Sequence, residues 1–311
     1  MIFHSFEALC IFVLLTLIVK SSETPTPVVM WHGMGDTCCS DTSMYRVKRL
    51  IEGEIPNVYV HSIMLGSSPE QDRRAGFYGN INEQIDVVCK QLQENAALKD
   101  GYYGIGFSQG GLFMRGLLQR CPYPKMKKLV TFGSPHSGIS SPPECAKGDF
   151  ICQGIKSILF NSAYSPSIQR NFIQAQFYKD PKRIDDYLKE SIFLTDINNE
   201  IKINTTYIEN IKKLEKFVMI KFSLDKTIVP NASTWFGFYN DMGDQIPLQD
   251  TTLYKEDRLG LKWLDESGKI DFLVCDGIHM QIKDEYLLQI TSKYLRDSKT
   301  GRFIAQKQHY I

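Results

Sequence analysis

The chain lacks the pairings from which metal centres are built: its 8 Cys form no Cys-x-x-Cys unit and its 6 His do not cluster. No metal and no cofactor is therefore expected. It also lacks charge of one sign, with Lys+Arg 36 against Asp+Glu 35, and it has no basic run interleaved with aromatics. That excludes nucleic acid as a partner. Long apolar runs are missing apart from Leu9–Val19, which is short for a bilayer span and is followed by the small polar residues Ser21 and Ser22. Residues 1–22 read as a secretory signal peptide, although His4 and Glu7 stand where Lys or Arg is usual, which leaves an uncleaved signal anchor as the alternative. Without a later apolar stretch of spanning length, no stable membrane span is expected once the leader is removed.

Seven cysteines follow the leader: Cys38, Cys39, Cys89, Cys121, Cys145, Cys152 and Cys275. The number is odd, so at least one is unpaired. Disulfides fit a secretory route better than metal ligation. Cys145 and Cys152 can close a short loop, and Cys89 and Cys121 flank the next motif, but spacing does not settle connectivity. Asn204-Thr205-Thr206 and Asn231-Ala232-Ser233 are N-glycosylation sequons.

What is present is organised around Gly101–Gln119, GYYGIGFSQGGLFMRGLLQ. An apolar strand runs into Gly106-Phe107-Ser108-Gln109-Gly110, which fits G-x-S-x-G, and good helix formers follow from Leu112. A serine hydroxyl is a weak nucleophile at neutral pH. This motif places it on a sharp turn where a histidine can take its proton. Ser108 is the candidate nucleophile.

Before it, Pro27–Trp31 reads as a buried strand ending in the glycine-rich loop His32-Gly33-Met34-Gly35-Asp36, suited to supplying a backbone N–H to an oxyanion hole. The second donor would be the N–H of Gln109. A strand over Val58–Ile63, a helix over Asn80–Asn95 and a strand over Lys128–Phe132 follow, as in a parallel α/β sheet. From Ile139 to Leu214 the strand signal stops, and short amphipathic pieces suggest a helical cap whose stripes either roof an apolar groove or simply pack on the sheet. The sheet resumes at Lys216–Phe222, whose following loop carries Asp225, and ends with Ile270–Val274, whose loop carries His279. Ser108, Asp225, His279 follow the chain order of an α/β-hydrolase triad. Asp276 is the rival acid, but three residues from His279 it is awkwardly placed to reach the far ring nitrogen. His32 and His136 precede the acid and read as structural. The expected organisation is a signal peptide over 1–22, α/β-hydrolase core over 23–138 and 215–311, and a helical cap insertion over 139–214.

With these pieces placed, the chain closely resembles the lysosomal palmitoyl-protein thioesterases, an α/β-hydrolase family. The resemblance rests on Val29–Asp36 with Cys38-Cys39, on Gly106–Gly111, on Trp235-Phe236-Gly237-Phe238-Tyr239, on Ile246–Gln249 and on Thr251–Leu261. Gly133–Gly138 is closer to the lipase form of its loop, and the match just after Asp225 is loose. The resemblance implies Ser108 as nucleophile, His279 as base, Asp225 as its orienting partner, and Met34 and Gln109 as oxyanion N–H donors. It implies disulfides Cys38–Cys39, Cys89–Cys121 and Cys145–Cys152, with Cys275 free. It implies removal of long-chain acyl groups such as palmitate from S-acylated proteins or peptides, or from acyl-CoA, in the lysosome or after secretion. A lipase or carboxylesterase acting on oxygen esters is the competing enzyme, and a non-catalytic lipid-binding glycoprotein the competing non-enzyme.

Overall fold

The computed structural model describes residues 24–142, 148 and 150–297. The leader and the Cys145–Cys152 pairing lie outside the described residues and side chains. Six parallel strands form the central sheet: β1 Val28–Trp31, β2 Val60–Ser62, β3 Tyr102–Phe107, β4 Met126–Phe132, β5 Lys216–Phe222 and, after a two-stranded hairpin of β6 Phe238–Tyr239 and β7 Gln245–Ile246, β8 Ile270–Cys275. The sheet order is β2-β1-β3-β4-β5-β8. All six residues of central β3 are buried, because helices cover both faces of a parallel sheet and leave no wet side for a polar alternation.

Side chains alternate between the two faces. Val28, Met30, Ile105, Val130, Ile220 and Phe222 point to one face, where helix α1 (Met44–Glu54) and the helix Asp284–Ile290 pack through residues such as Val47, Ile51 and Leu287. Val29, Trp31, Leu129, Phe217 and Met219 point to the other. There they meet α3 (Ile81–Glu94) and α4 (Gln109–Arg120), with the short α2 (Pro69–Ala75) between β2 and α3. α1 carries Met44, Val47 and Ile51 at helical spacing, yet neither it nor Asp284–Ile290 was among the elements the periodicity singled out.

Residues 139–214 contribute short helices, including Phe150–Ser162, Ile184–Glu190 and Thr205–Lys212. Their apolar stripes do not form a separate core. Ile155, Leu159, Ile173, Phe177, Tyr187 and Phe193 join the cluster that contains Trp31, Phe113 and Met219. Of the two outcomes open for this segment, packing takes these apolar side chains.

Candidate active site

Four loops leave the carboxyl ends of β1, β3, β5 and β8, and a parallel sheet necessarily gathers such ends along one rim. Ser108 follows β3 directly. Its backbone has φ 53° and ψ −127°, outside the usual regions for a non-glycine residue, and its N–H donates to the Phe132 carbonyl at 2.7 Å. The flanking glycines are required by contact. A Cβ on Gly106 would stand 2.2 Å from Gly111 Cα, and one on Gly110 would stand 2.3 Å from the His32 carbonyl oxygen. Both obstacles are backbone, so neither can swing aside. The strand and the helix approach too closely for any side chain at the motif's two ends.

His279 Nε2 accepts from the Ser108 hydroxyl at 2.9 Å, and its Nδ1 lies 2.7 Å from Asp225 Oδ2. A carboxylate only accepts, so the Nδ1 position carries the proton and leaves Nε2 as the acceptor facing Ser108. The Asp225 side chain is fully buried, and its other oxygen accepts from the backbone N–H groups of Thr227 at 2.8 Å and Ile228 at 3.1 Å. Phe222 meets the His279 ring edge-on at 5.9 Å. Asp276 is exposed and makes no hydrogen bond to His279. Three side chains far apart in sequence thus form one continuous hydrogen-bonded chain.

Gly33 lies against the serine: a Cβ there would sit 3.1 Å from Ser108 Cβ. The N–H groups of Met34 and Gln109 donate to no carbonyl or side chain among the described residues.

His32 is held away from the serine. Its Nδ1 faces the Gly33 carbonyl at 2.8 Å and its Nε2 faces Asp72 Oδ2 at 3.1 Å, with both side chains fully buried. Asp72, on α2, also accepts from the N–H groups of Cys38 at 2.7 Å and Leu65 at 2.8 Å and from the Thr37 hydroxyl at 3.2 Å. Burial works to raise the Asp72 pKa, but the hydrogen bond from His32 and the other donors outweigh it and leave the carboxyl below its ordinary 3.8. A depressed folded-state pKa adds stability that is fully present above the unfolded value and is lost as pH falls through the folded one. We expect Asp72→Asn to lower the Tm by about 5 °C at pH 7, since it disturbs a buried carboxylate with four donors worth on the order of 3 kcal/mol. Thermal scans from pH 7 down to 3 check this, and the gap to the unaltered protein should close only below about pH 4.

Two further polar groups escaped sequence reasoning. Gln174, from the segment 139–214, donates to the Gln109 side-chain oxygen at 3.0 Å and to the Gly76 carbonyl at 2.9 Å, so the inserted segment grips the residue after the serine. Arg115 on α4 is fully buried, and its guanidinium donates to the His136 carbonyl at 3.0 Å, Ile197 at 3.1 Å and Asn198 Oδ1 at 2.7 Å. It lies 4.9 Å over the Phe236 ring, and burial brings its pKa down to about 9. His136 stacks on the same ring at 4.7 Å; burial, then the Arg115 charge, push its pKa well below the usual value. It is a structural histidine in a tight network. No spacing rule finds such partners, because each reaches across several elements.

Cys38 pairs with its neighbour Cys39, and Cys89 with Cys121, the latter bond tying α3 to the residue that ends α4. Cys275 is free and buried, and burial followed by the nearby Asp276 charge raises its thiol pKa, which makes it a poor nucleophile. Among the described residues no group of His, Cys, Asp and Glu is arranged to hold a metal ion. Of the two sequons, Asn204 stands at the start of the helix Thr205–Lys212, while Asn231 turns its amide inward to the Phe222 carbonyl at 2.9 Å.

Ser108 and His279 open into a cavity of about 340 Å³. Its apolar wall includes Met34, Met44, Val47, Phe107, Ile282 and Leu287, and Ser43 and Arg46 stand among the polar lining. Among the described residues none of those lining it comes from 139–214; most belong to the loop from Gly33 to Asp36, to α1, to the turn at Ser108 and to the segment from His279 to Leu287.

A family model described as "Palmitoyl protein thioesterase" matches residues 27–279, which includes every loop of this rim. The chain belongs to that family. Among its relatives, the Caenorhabditis elegans protein named "Palmitoyl-protein thioesterase 1" is 46% identical over 92% of this chain and 97% of its own length. The Dictyostelium discoideum "Palmitoyl-protein thioesterase 3" is 34% identical over 91% and 97%. A Drosophila melanogaster protein named "Lysosomal thioesterase PPT2 homolog" is 30% identical over 81% of this chain and 85% of that protein. As a member of the palmitoyl protein thioesterase family, the chain combines a match over residues 27–279 with the fold of an α/β-hydrolase.

Proposed function

We propose that the protein hydrolyses thioesters between long-chain fatty acids and cysteine, removing acyl groups such as palmitate from S-acylated proteins or peptides. The observation that carries this reading is the Ser108–His279–Asp225 hydrogen-bonded chain opening into a largely apolar cavity, in a member of this family.

In the proposed reaction the Ser108 oxygen attacks the thioester carbonyl while His279 Nε2 accepts the hydroxyl proton. Asp225, held by the Thr227 and Ile228 N–H groups, keeps the imidazole in the required tautomer and stabilises the imidazolium. The negative charge on the former carbonyl oxygen is met by the N–H groups of Met34 and Gln109, which are otherwise unused. The carbon–sulfur bond breaks, His279 returns the proton to the cysteine sulfur, and the acyl group remains on Ser108. Water then attacks the acyl-enzyme with His279 again as base, and the free acid and the serine hydroxyl are restored. A thiol with pKa about 8.5 is a far better leaving group than an amine, which favours thioester over amide hydrolysis in a site of this kind.

Met44, Val47, Phe107 and Leu287 offer apolar contact beside the reacting carbonyl, and each buried methylene contributes about 0.8 kcal/mol. Acyl thioesters of increasing chain length, assayed side by side with a triglyceride, test the proposal. We expect kcat/KM to climb toward long chains and the palmitoyl-cysteine peptide to exceed the glyceride; a flat profile or a preference for the glyceride would replace the thioesterase reading by the lipase one. Relatives named as lysosomal thioesterases and an apolar leader support a lysosomal location, with Asn204 the better placed of the two sequons for a glycan.

A further inference from the structure

A second cavity, of about 420 Å³, lies behind the Asp225 turn and shares no lining residue with the Ser108 cavity. Its walls include Lys221 near the end of β5, Phe272 on the edge strand β8, Ala232 and Trp235 on the 3-10 turn after the acid loop, Ile246 on β7 and Leu248 just after the hairpin. Phe222 points toward His279, so its neighbour Lys221 points to the opposite face of the sheet. The aromatic walls are fixed. Trp235 Nε1 donates to the Met219 carbonyl at 3.0 Å, and Phe272 meets the indole edge-on at 5.6 Å.

Lys221 is the one group here that the fold leaves without a charge partner. Its ammonium sits 3.9 Å over the Trp235 ring, and no carboxylate among the described residues pairs with it. Burial lowers its pKa, and no acidic group counters that effect. The acid near the rim, Asp265, is taken by the Tyr254 hydroxyl at 2.8 Å and faces the Gln249 amide at 3.5 Å. A partly desolvated cation beside a deep apolar wall complements an anion that carries an apolar tail. One lysine point charge with neighbouring glutamine amides suits a monoanionic carboxylate. No arginine, whose planar fork would favour a phosphate, is among its lining residues.

We propose that this cavity is a second ligand site, which takes the carboxylate head of a single-chain amphiphile at Lys221 and its first methylenes against Trp235, Phe272 and Leu248. The inference does not rest on the reaction proposed above, although the acid released there belongs to the same chemical class.

Laurate below its micelle concentration and dodecanol below its solubility limit are titrated by calorimetry into full-length protein whose Ser108 has been blocked with a serine-directed fluorophosphonate. The expected result is saturable binding of one equivalent of laurate. Lys221→Gln should weaken laurate about tenfold or more and leave dodecanol unchanged, as loss of a charged hydrogen-bond donor implies. Ala232→Phe should fill the cavity and remove binding of both. Unblocked samples of each variant that retain thioester hydrolysis establish that the fold is intact. If Ala232→Phe does not fold, the laurate and dodecanol comparison in Lys221→Gln decides alone. No saturable laurate binding in the blocked protein, or laurate binding that Lys221→Gln leaves unaltered, overturns the proposal.

Discussion

Ser108→Ala is expected to lower kcat on a palmitoyl-cysteine peptide by on the order of 10⁴ to 10⁶-fold, because nothing else near His279 can form the acyl-enzyme. The thiol of Cys275 does not substitute, because it is buried, has a raised pKa and directs its Sγ toward the Gln281 carbonyl at 3.8 Å. The fold should tolerate the change. The Ser108 hydroxyl bonds to His279 alone, whereas the turn itself is held by backbone contacts to Phe132 and Gly111 that alanine retains. Steady-state kinetics together with a thermal melt check both halves, and activity above about one hundredth of normal in a folded sample would mean that another residue is the nucleophile.

The second large effect separates two aspartates. Asp225→Asn should cost roughly 10⁴-fold in kcat, since an amide at this place favours the wrong imidazole tautomer and turns the Nε2 acceptor into a donor facing Ser108. Asp276→Asn should stay within about twofold, because that carboxylate is exposed and makes no bond to His279. Near-equal losses in the two variants would return the acid to the loop that carries the histidine. The KM of Asp225→Asn should move little, as Asp225 touches only His279 and its own loop.

Much of the fold was legible because its signals are local. Lys216–Phe222 is a strand over the residues that its apolar run marks out, and Ile81–Glu94 is a helix within one residue of the periodic stretch at each end. A parallel sheet follows from such strands separated by helices, and the order Ser108, Asp225, His279 places all three residues after strands whose carboxyl ends share a rim. Other elements were silent. The hairpin strands are two residues each, too short for any alternation to register, and the aromatic stretch that holds β6 reads only as a family resemblance. Asp72 and Arg115 look like ordinary charges on amphipathic helices, and it is largely partners on other elements, as far as 83 residues away, that turn them into buried anchors.

The placement of the cavity is the clearest case of information absent from a linear reading. The apolar stripes of 139–214 suit a roof over a groove as well as they suit core packing, because periodicity reports which side of a helix is buried and not what buries it. Their burial with Trp31, Phe113 and Met219 leaves the walls of the Ser108 cavity to α1 and the Asp284–Ile290 helix.

Residue order alone determined which hydroxyl, imidazole and carboxylate belong together, because a strand-turn-helix with glycine at both ends of its turn needs only neighbours to form. Three-dimensional packing decided the rest: that the acid is within 2.7 Å of the imidazole, that His32 is locked on Asp72, and that Lys221 is left facing an apolar pocket without a counter-charge. Those are contacts between distant segments, and their free energy depends on the surface that each segment hides from water against the others.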